Sequence, residues 1–267
     1  MNTNTLREIA DDTLFKMKYP EDFINKVICG DCLEVMPKID DKSIDMILCD
    51  LPYGTTACKW DTIIPFEPLW EQYKRIIKDN GAIVLTASQP FTSALVMSNI
   101  KMFKYEWIWE KHKGTNFFAV KREPLKIHES VLVFGGKKYN PQMIDGKSYK
   151  PRGSHNIVRS HSIVNANKNI GYSKEFDPSK RYPVSIQKFS NHNQKENCFH
   201  PTQKPVALFE YLIKTYTNEG DLVLDNCAGS GTTGVACKKT GRNFIGIEIS
   251  EKYCEIARQR LRQEVLL

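Results

Sequence analysis

Ile44-Asp45-Met46-Ile47-Leu48-Cys49-Asp50-Leu51-Pro52-Tyr53-Gly54 is the most informative run of the chain. A short apolar run closed by a carboxylate and turn residues reads as a buried strand of a parallel sheet. Ligands of such sheets lie beyond the carboxyl ends of the strands, which puts Asp50, Leu51, Pro52 and Tyr53 where chemistry takes place. Pro52 has a fixed φ and biases Leu51 away from the α region, so the chain leaves the strand stiff and extended. A carboxylate, exposed backbone carbonyls and a flat ring then stand in fixed relation. That set suits gripping a planar group that bears an amine: the oxygens accept the amine hydrogens and the ring stacks on the plane. Taken alone, the tetrapeptide is also ordinary turn chemistry. The rest of the chain decides between the two.

Outward from this strand, helical and extended patterns alternate. Before it, residues 1–25 suggest a short leading helix or arm, 26–31 a strand ending in Asp31, and 32–39 a short helix. After it come a polar loop over 54–61, a helix over 65–78 stopped by Asn80-Gly81, and a strand over 82–86. A helix over 90–99 and strands over 105–109 and 130–134 follow. From Gly135 to Phe199 the periodicity dissolves, and a long irregular stretch inside a compact domain is usually functional or disordered. Order resumes with Pro205 in the first turn of a helix to Tyr216, a strand over 222–225 and a helix over 232–240. A strand over 244–249 and an amphipathic helix over 251–264 close the chain. Such alternation predicts an α/β fold with a doubly wound, mostly parallel sheet.

At 267 residues the chain is one large domain, or one domain carrying an insertion. No apolar run approaches a membrane span and Met1–Tyr19 lacks a signal-peptide core, so a cytoplasmic protein is expected. Its eight cysteines are then reduced thiols. The one close pair, Cys29 and Cys32, has no second pair to complete a zinc site, so no metal is expected. The net charge of +7 is uneven: residues 137–198 hold twelve Lys and Arg against four acids, leaving the remainder near neutral. Such local concentration favours a polyanion partner.

A second constellation is Leu224-Asp225-Asn226-Cys227-Ala228-Gly229-Ser230-Gly231-Thr232-Thr233-Gly234, which follows a strand, opens a helix and contains G-x-G-x-x-G. Glu248, about 20 residues beyond Gly229 at the end of the next strand, suits a ribose hydroxyl. The rival reading is NAD. Asp225 opposes it, because its charge would crowd the place where a pyrophosphate meets a helix N-terminus. A nucleoside with a cationic amino-acid tail has the opposite preference, and S-adenosylmethionine is such a molecule.

In this order the elements resemble those of the β-group amino-methyltransferases of DNA, where a (D/N/S)-P-P-(Y/F/W) element precedes the glycine-rich cofactor element. Asp50-Leu51-Pro52-Tyr53 has Leu for the first Pro and keeps the acceptor, the second Pro and the ring. His200-Pro201-Thr202-Gln203-Lys204-Pro205 and the 225–233 loop match the cofactor-binding elements, and Cys29–Cys32, Phe244–Glu248, Trp109–Lys111 and His128–Phe134 also fall in place. The resemblance implies the S-adenosylmethionine-dependent methyltransferase fold with circularly permuted motif order. It divides the chain into a catalytic half (1–136), a target-recognition insert (137–198) and a cofactor-binding half (199–267). It implies catalysis by Asp50, Leu51, Pro52 and Tyr53. Cofactor contacts are implied at Asp31, Cys32, Asp50, His200, Thr202, Lys204, Asp225, Ala228, Gly229, Gly231, Thr232 and Glu248.

The expected partner is double-stranded DNA, with Lys147, Lys150, Arg152 and Arg159 of the basic insert on its backbone. A cognate restriction endonuclease is a candidate partner, and the protein is expected to be a monomer or homodimer. An exocyclic amine is a poor nucleophile because its lone pair is delocalised. Acceptors on its hydrogens draw the nitrogen toward tetrahedral geometry, while Tyr53 stacks on the flipped base. No Pro-Cys pair occurs, which disfavours thiolate attack on cytosine carbon 5. Asp at position 50 is commoner among adenine enzymes of the family, which favours N6 of adenine over N4 of cytosine. An RNA methyltransferase and a binding protein without activity are further readings, the latter opposed by intact Asp50, Tyr53, Asp225 and Glu248.

Overall fold

A computed structural model describes residues 17–55, 61–146, 177, 179–191 and 203–263. Its centre is an eight-stranded sheet built from β1 (Lys26–Cys29), β2 (Ile44–Asp50), β3 (Ile77–Ala87), β4 (Phe103–Thr115), β5 (Lys126–Gly135), β8 (Ile186–Phe189), β9 (Leu222–Asp225) and β10 (Asn243–Glu248). The strand order is β1-β10-β9-β2-β3-β5-β4-β8. All neighbours pair in parallel except β5, which runs against both β3 and β4.

The order exposes the permutation. Consecutive strands β1 and β2 are not neighbours, because β10 and β9 from the far end of the chain fill the gap between them. From β2 the chain winds to one side of the sheet and from β9 to the other, so a topological switch point lies between them. There Met46 pairs with Val223 and Ile47 with Leu224, and the strands end nearby at Asp50 and Asp225.

The apolar run of β2 is continuous because both faces of the sheet are covered. Side chains alternate across a strand. Ile47 and Cys49 join the core under α1 (Cys32–Val35), α2 (Phe66–Ile76) and α3 (Phe91–Ser98). Met46 and Leu48 join the other, under α4 (Val206–Tyr216), α5 (Thr232–Lys239) and α6 (Glu251–Gln263). In α2 the apolar spacing buries Leu69, Trp70, Tyr73 and Ile76 on one side. A 3-10 turn, Met36–Lys38, follows α1.

Two expectations fail in their details. Asn80-Gly81 does not stop a helix: α2 already gives way to β3 at Ile77. Ile44 pairs with Ile77 but Met46 with Ala82, so the turn-forming residues are taken up in a bulge. Nor is 135–199 free of regular structure, since β8 lies there against β4. The chain divides into two compact units, Met1–Asn140 with Ser185–Leu267, and Pro141–Val184. Within the second, β6 (Ile144–Asp145) pairs antiparallel with β7 (Lys180–Arg181), and the Lys180 ammonium pairs with the Asp145 carboxylate. No helix among the described residues is long and apolar enough to cross a membrane.

Candidate active site

Asp50 ends β2 with its carboxylate surrounded by donors. The Tyr53 hydroxyl donates to Oδ1 at 2.7 Å, and the Thr86 hydroxyl from the end of β3 donates to the same oxygen. Oδ2 meets the Lys204 ammonium at 2.6 Å. Lys204 is buried, and its ammonium also lies 3.4 Å from Glu129 Oε2 on β5. Glu129 in turn pairs through Oε1 with Lys111 of β4. Burial pulls the Lys204 pKa down, but the charges of Asp50 and Glu129 outweigh it and hold the pKa above its ordinary value. Acid and base thus alternate from Asp50 through Lys204 and Glu129 to Lys111.

The Tyr53 ring stacks on Phe91 at the start of α3, with centroids 5.2 Å apart and planes 25° apart. Lys204 Nζ lies 5.4 Å from the centroid of the same ring. Burial and the nearby charges of Asp50 and Glu129 raise the Tyr53 pKa well above the phenol value, so its hydroxyl remains a donor. Beyond it Gly54 takes φ +67°, and the Gly54 and Thr55 amides donate to the two Asp61 carboxylate oxygens at 2.8 and 2.9 Å.

The second wall is the turn between β9 and α5. Asp225 Oδ1 accepts the Cys227 amide at 3.1 Å and Oδ2 accepts the Thr233 hydroxyl. Burial pushes its carboxyl up to about 7, against the pull of these donors. Glu248, ending β10, accepts the Gly229 amide at 2.8 Å and the Ser250 amide at 2.8 Å. Burial raises its pKa as well. Asp31 caps α1, accepting the Leu33 amide at 2.8 Å. Gly231 turns the chain into α5 at φ +80°, where a Cβ would meet that of Ala257 at 3.0 Å, so only glycine brings α6 this close.

Both walls face one cavity of about 890 Å³. Its volume is that of a small-molecule site, which spans roughly 300–1,000 Å³. Asp31, Asp225 and Glu248 give its glycine-loop end carboxylates, and the Cys227 and Gly229 amides that a pyrophosphate needs are already given to two of them. That donor set repels a dinucleotide and fits the cationic nucleoside S-adenosylmethionine.

A family model described as DNA methylase, for N6 and N4 amino-methyltransferases, matches residues 44–259. The chain belongs to this family. It is 28% identical over 90% of its length to the Type II methyltransferase M.HpaI of Haemophilus parainfluenzae, covering 74% of that protein. It is 29% identical over 88% to the DNA adenine methyltransferase YhdJ of Escherichia coli strain K12, covering 82% of it. Among solved structures, the M1.HpyAVI–SAM complex is 25% identical with a TM-score of 0.60, the match covering 88% of this chain and 98% of that one. The cytosine-N4-specific PvuII DNA methyltransferase, 16% identical, shares the fold at a TM-score of 0.61, with 88% of this chain and 85% of that one covered.

In this methylase, Asp50, Leu51, Pro52 and Tyr53 all line the cavity, as do Asp31, Cys32, Lys204, Asp225, Ala228, Gly229, Thr232 and Glu248. Gly231 shapes the turn behind the wall instead. Lys204, assigned by resemblance to the cofactor, has its ammonium on Asp50 and Glu129. His200, Thr202, Lys147, Lys150, Arg152 and Arg159 lie outside the described residues. Sequence reasoning gave no role to Thr86, Phe91, Lys111 or Glu129. Lys111 and Glu129 lie inside segments that match the family, and that is the one available signal.

Proposed function

We propose that this methylase transfers a methyl group to the N6 amine of adenine in double-stranded DNA, with the base turned out of the duplex into the cavity. The observation that carries the reading is Asp50, a strand-end carboxylate at the switch point beside a cavity suited to a cationic nucleoside. A carboxylate oxygen has two lone pairs. Oδ1 has both filled by Tyr53 and Thr86, whereas Oδ2 meets Lys204 alone among the described residues. The remaining lone pair suits one amine hydrogen, and the Leu51 carbonyl suits the other.

S-adenosylmethionine supplies the electrophilic methyl group on its sulfonium. Asp31, Asp225 and Glu248 hold the amino-acid tail and ribose through their carboxylates. Tyr53 and Thr86 lock the Asp50 carboxylate in one orientation, so the acceptor needs no rearrangement as positive charge grows on the amine nitrogen. Asp50 is also the acceptor placed to take the proton that the methylated nitrogen sheds. Phe91 stacks on the Tyr53 ring and braces it at the cavity wall, where the base would meet it. Specificity for a short sequence resides in the basic segment 137–198. A restriction endonuclease of matching specificity is the natural partner, and the enzyme works on DNA in the cytoplasm as a monomer or homodimer.

The test is direct. Plasmid DNA methylated by the enzyme is digested to nucleosides and analysed by mass spectrometry, which should find N6-methyladenine; N4-methylcytosine in its place would overturn the target. Asp50→Ala should lower the transfer rate by about a hundredfold or more while cofactor affinity stays within about tenfold, since it removes an acceptor that acts in the transition state. Near-normal turnover in that variant would refute the mechanism.

A further inference from the structure

The hairpin formed by β4 and β5 carries aromatic side chains that the fold does not use. Phe118 is 94% exposed and Phe117 64%, with Val120 and Ile127 half exposed beside them. Large apolar side chains left exposed together on one hairpin mark a candidate interaction site. The tip is a closed turn. Asn116 takes φ +72° and its side-chain amide donates to Glu123 Oε1. A 3-10 turn spans Phe117–Ala119, and the Arg122 and Glu123 amides donate to the Ala119 carbonyl at 2.8 and 3.0 Å. The rings are therefore presented outward by an organised backbone.

Charge surrounds them. Lys113, Lys121, Arg122 and Lys126 are exposed, and Glu123 is the single acid between Lys111 and His128. The hairpin is also continuous with the active site: Trp109, Lys111, Thr115, Lys126 and Glu129 line the cavity. Thr115 pairs with Lys126 at the rim, and Phe117 follows two residues later, under about 7 Å of chain. An apolar centre with a cationic border matches a base stack with its phosphates. A second copy of the chain would set two such borders against each other, which like charges disfavour.

We propose that this tip is a wedge for duplex DNA: Phe117 and Phe118 enter the stack beside the target pair, while Lys113, Lys121, Arg122 and Lys126 hold flanking phosphates. The inference rests on the cavity's being the seat of a flipped base. Extracting a base costs a few kcal/mol in stacking and pairing. Apolar side chains inserted at a base step offset part of that cost by filling the gap.

The test uses duplexes carrying the methylated sequence, read first by single-molecule sequencing of plasmid DNA from cells expressing the enzyme. On matched duplex, Phe117→Ala/Phe118→Ala should lower kcat/KM by about tenfold or more, the equivalent of one base–aromatic stack. On a duplex whose target adenine faces an abasic site, where extraction is already cheap, the same variant should stay within about twofold of the unaltered enzyme. The fluorescence rise of 2-aminopurine at the target position should shrink in parallel. Lys121→Gln/Arg122→Gln should flatten the salt dependence of binding by about one unit of slope for each phosphate no longer neutralised. Unchanged activity on matched duplex overturns the wedge, as does equal loss on both substrates. So does a loss of dimer in sedimentation with flipping intact, which would assign the surface to self-association. Methyl transfer without any 2-aminopurine signal in the unaltered enzyme would refute base flipping itself, and the wedge with it.

Discussion

Among the described residues Lys204 is the one ammonium shared by Asp50 and Glu129, and all three side chains are largely withdrawn from water. Removing one partner from a buried ionic cluster leaves the others uncompensated, a loss of about 3–5 kcal/mol when burial is complete. Lys204→Met should therefore cost stability as well as turnover. Adding Asp50→Asn should restore part of the stability, because the carboxylate left without its ammonium is gone, whereas Glu129 keeps Lys111; additive losses in thermal unfolding would show that the two residues are not coupled. Asp225 responds to pH. With its carboxyl raised from 3.8 to about 7, the folded protein binds more protons than the unfolded chain between those values, so its contribution to stability declines as pH rises through that window. A bound cation favours the carboxylate, so cofactor affinity should rise with pH and level off above about 7. Calorimetry at pH 6 in buffers of different ionisation enthalpy should detect proton release, and Asp225→Asn should abolish it. At this scale Asp50, Asp225 and Glu248 were legible in sequence, because a strand-ending acid is announced by its immediate neighbours. Lys204 meets Asp50 across 154 residues of chain, and no local pattern records that pairing.

The loop after Tyr53 shows what one element adds. Asp61 accepts the Gly54 and Thr55 amides with a nearly buried carboxylate, so it fixes the exit of the catalytic segment from a distance of six and seven residues. Asp61→Ala leaves two amides without their acceptor, at about 1–3 kcal/mol. It should lower the unfolding temperature and reduce kcat, since Tyr53 loses the anchor of the chain beyond it. An unchanged melting temperature and rate would show that Pro52 alone holds the segment. Elements with strong periodicity, such as α2 and β2, were legible nearly to their ends, because burial on one or both faces dictates their composition. β8 was not: Ile186-Gln187-Lys188-Phe189 is four residues at a sheet edge, held by main-chain pairing to β4 and by Phe189 packing on the core, too short a stretch to show a period. The ends of β4 and β5 were hidden for the same reason, since strands that leave the core are free to be polar.

For the molecule as a whole, parallel pairing and the permuted order follow from where apolar runs and motifs fall along the chain. The placement of the basic segment does not. Its charge is visible, but composition alone says only that polyanions are attracted. Lys and Arg side chains on phosphate set register, whereas side chains on base edges read sequence. The compact unit Pro141–Val184 meets the rest of the chain at two points in sequence, after Asn140 and before Ser185, and β8 beyond the second belongs to the central sheet. Exchange at these two joints for the corresponding segment of a relative spares every strand and helix of the catalytic unit. The chimera should keep its cofactor affinity and its methyl-transfer chemistry while the methylated sequence, read by single-molecule sequencing, changes to that of the donor. Neutralising Lys147, Lys150, Arg152 and Arg159 in the parent should meanwhile weaken binding to all sequences alike and flatten the salt dependence by about one unit of slope for each phosphate no longer held. If the chimera still methylates the parent's sequence, specificity lies in the catalytic unit, where Thr55, Asp61 and the β4–β5 hairpin border the cavity.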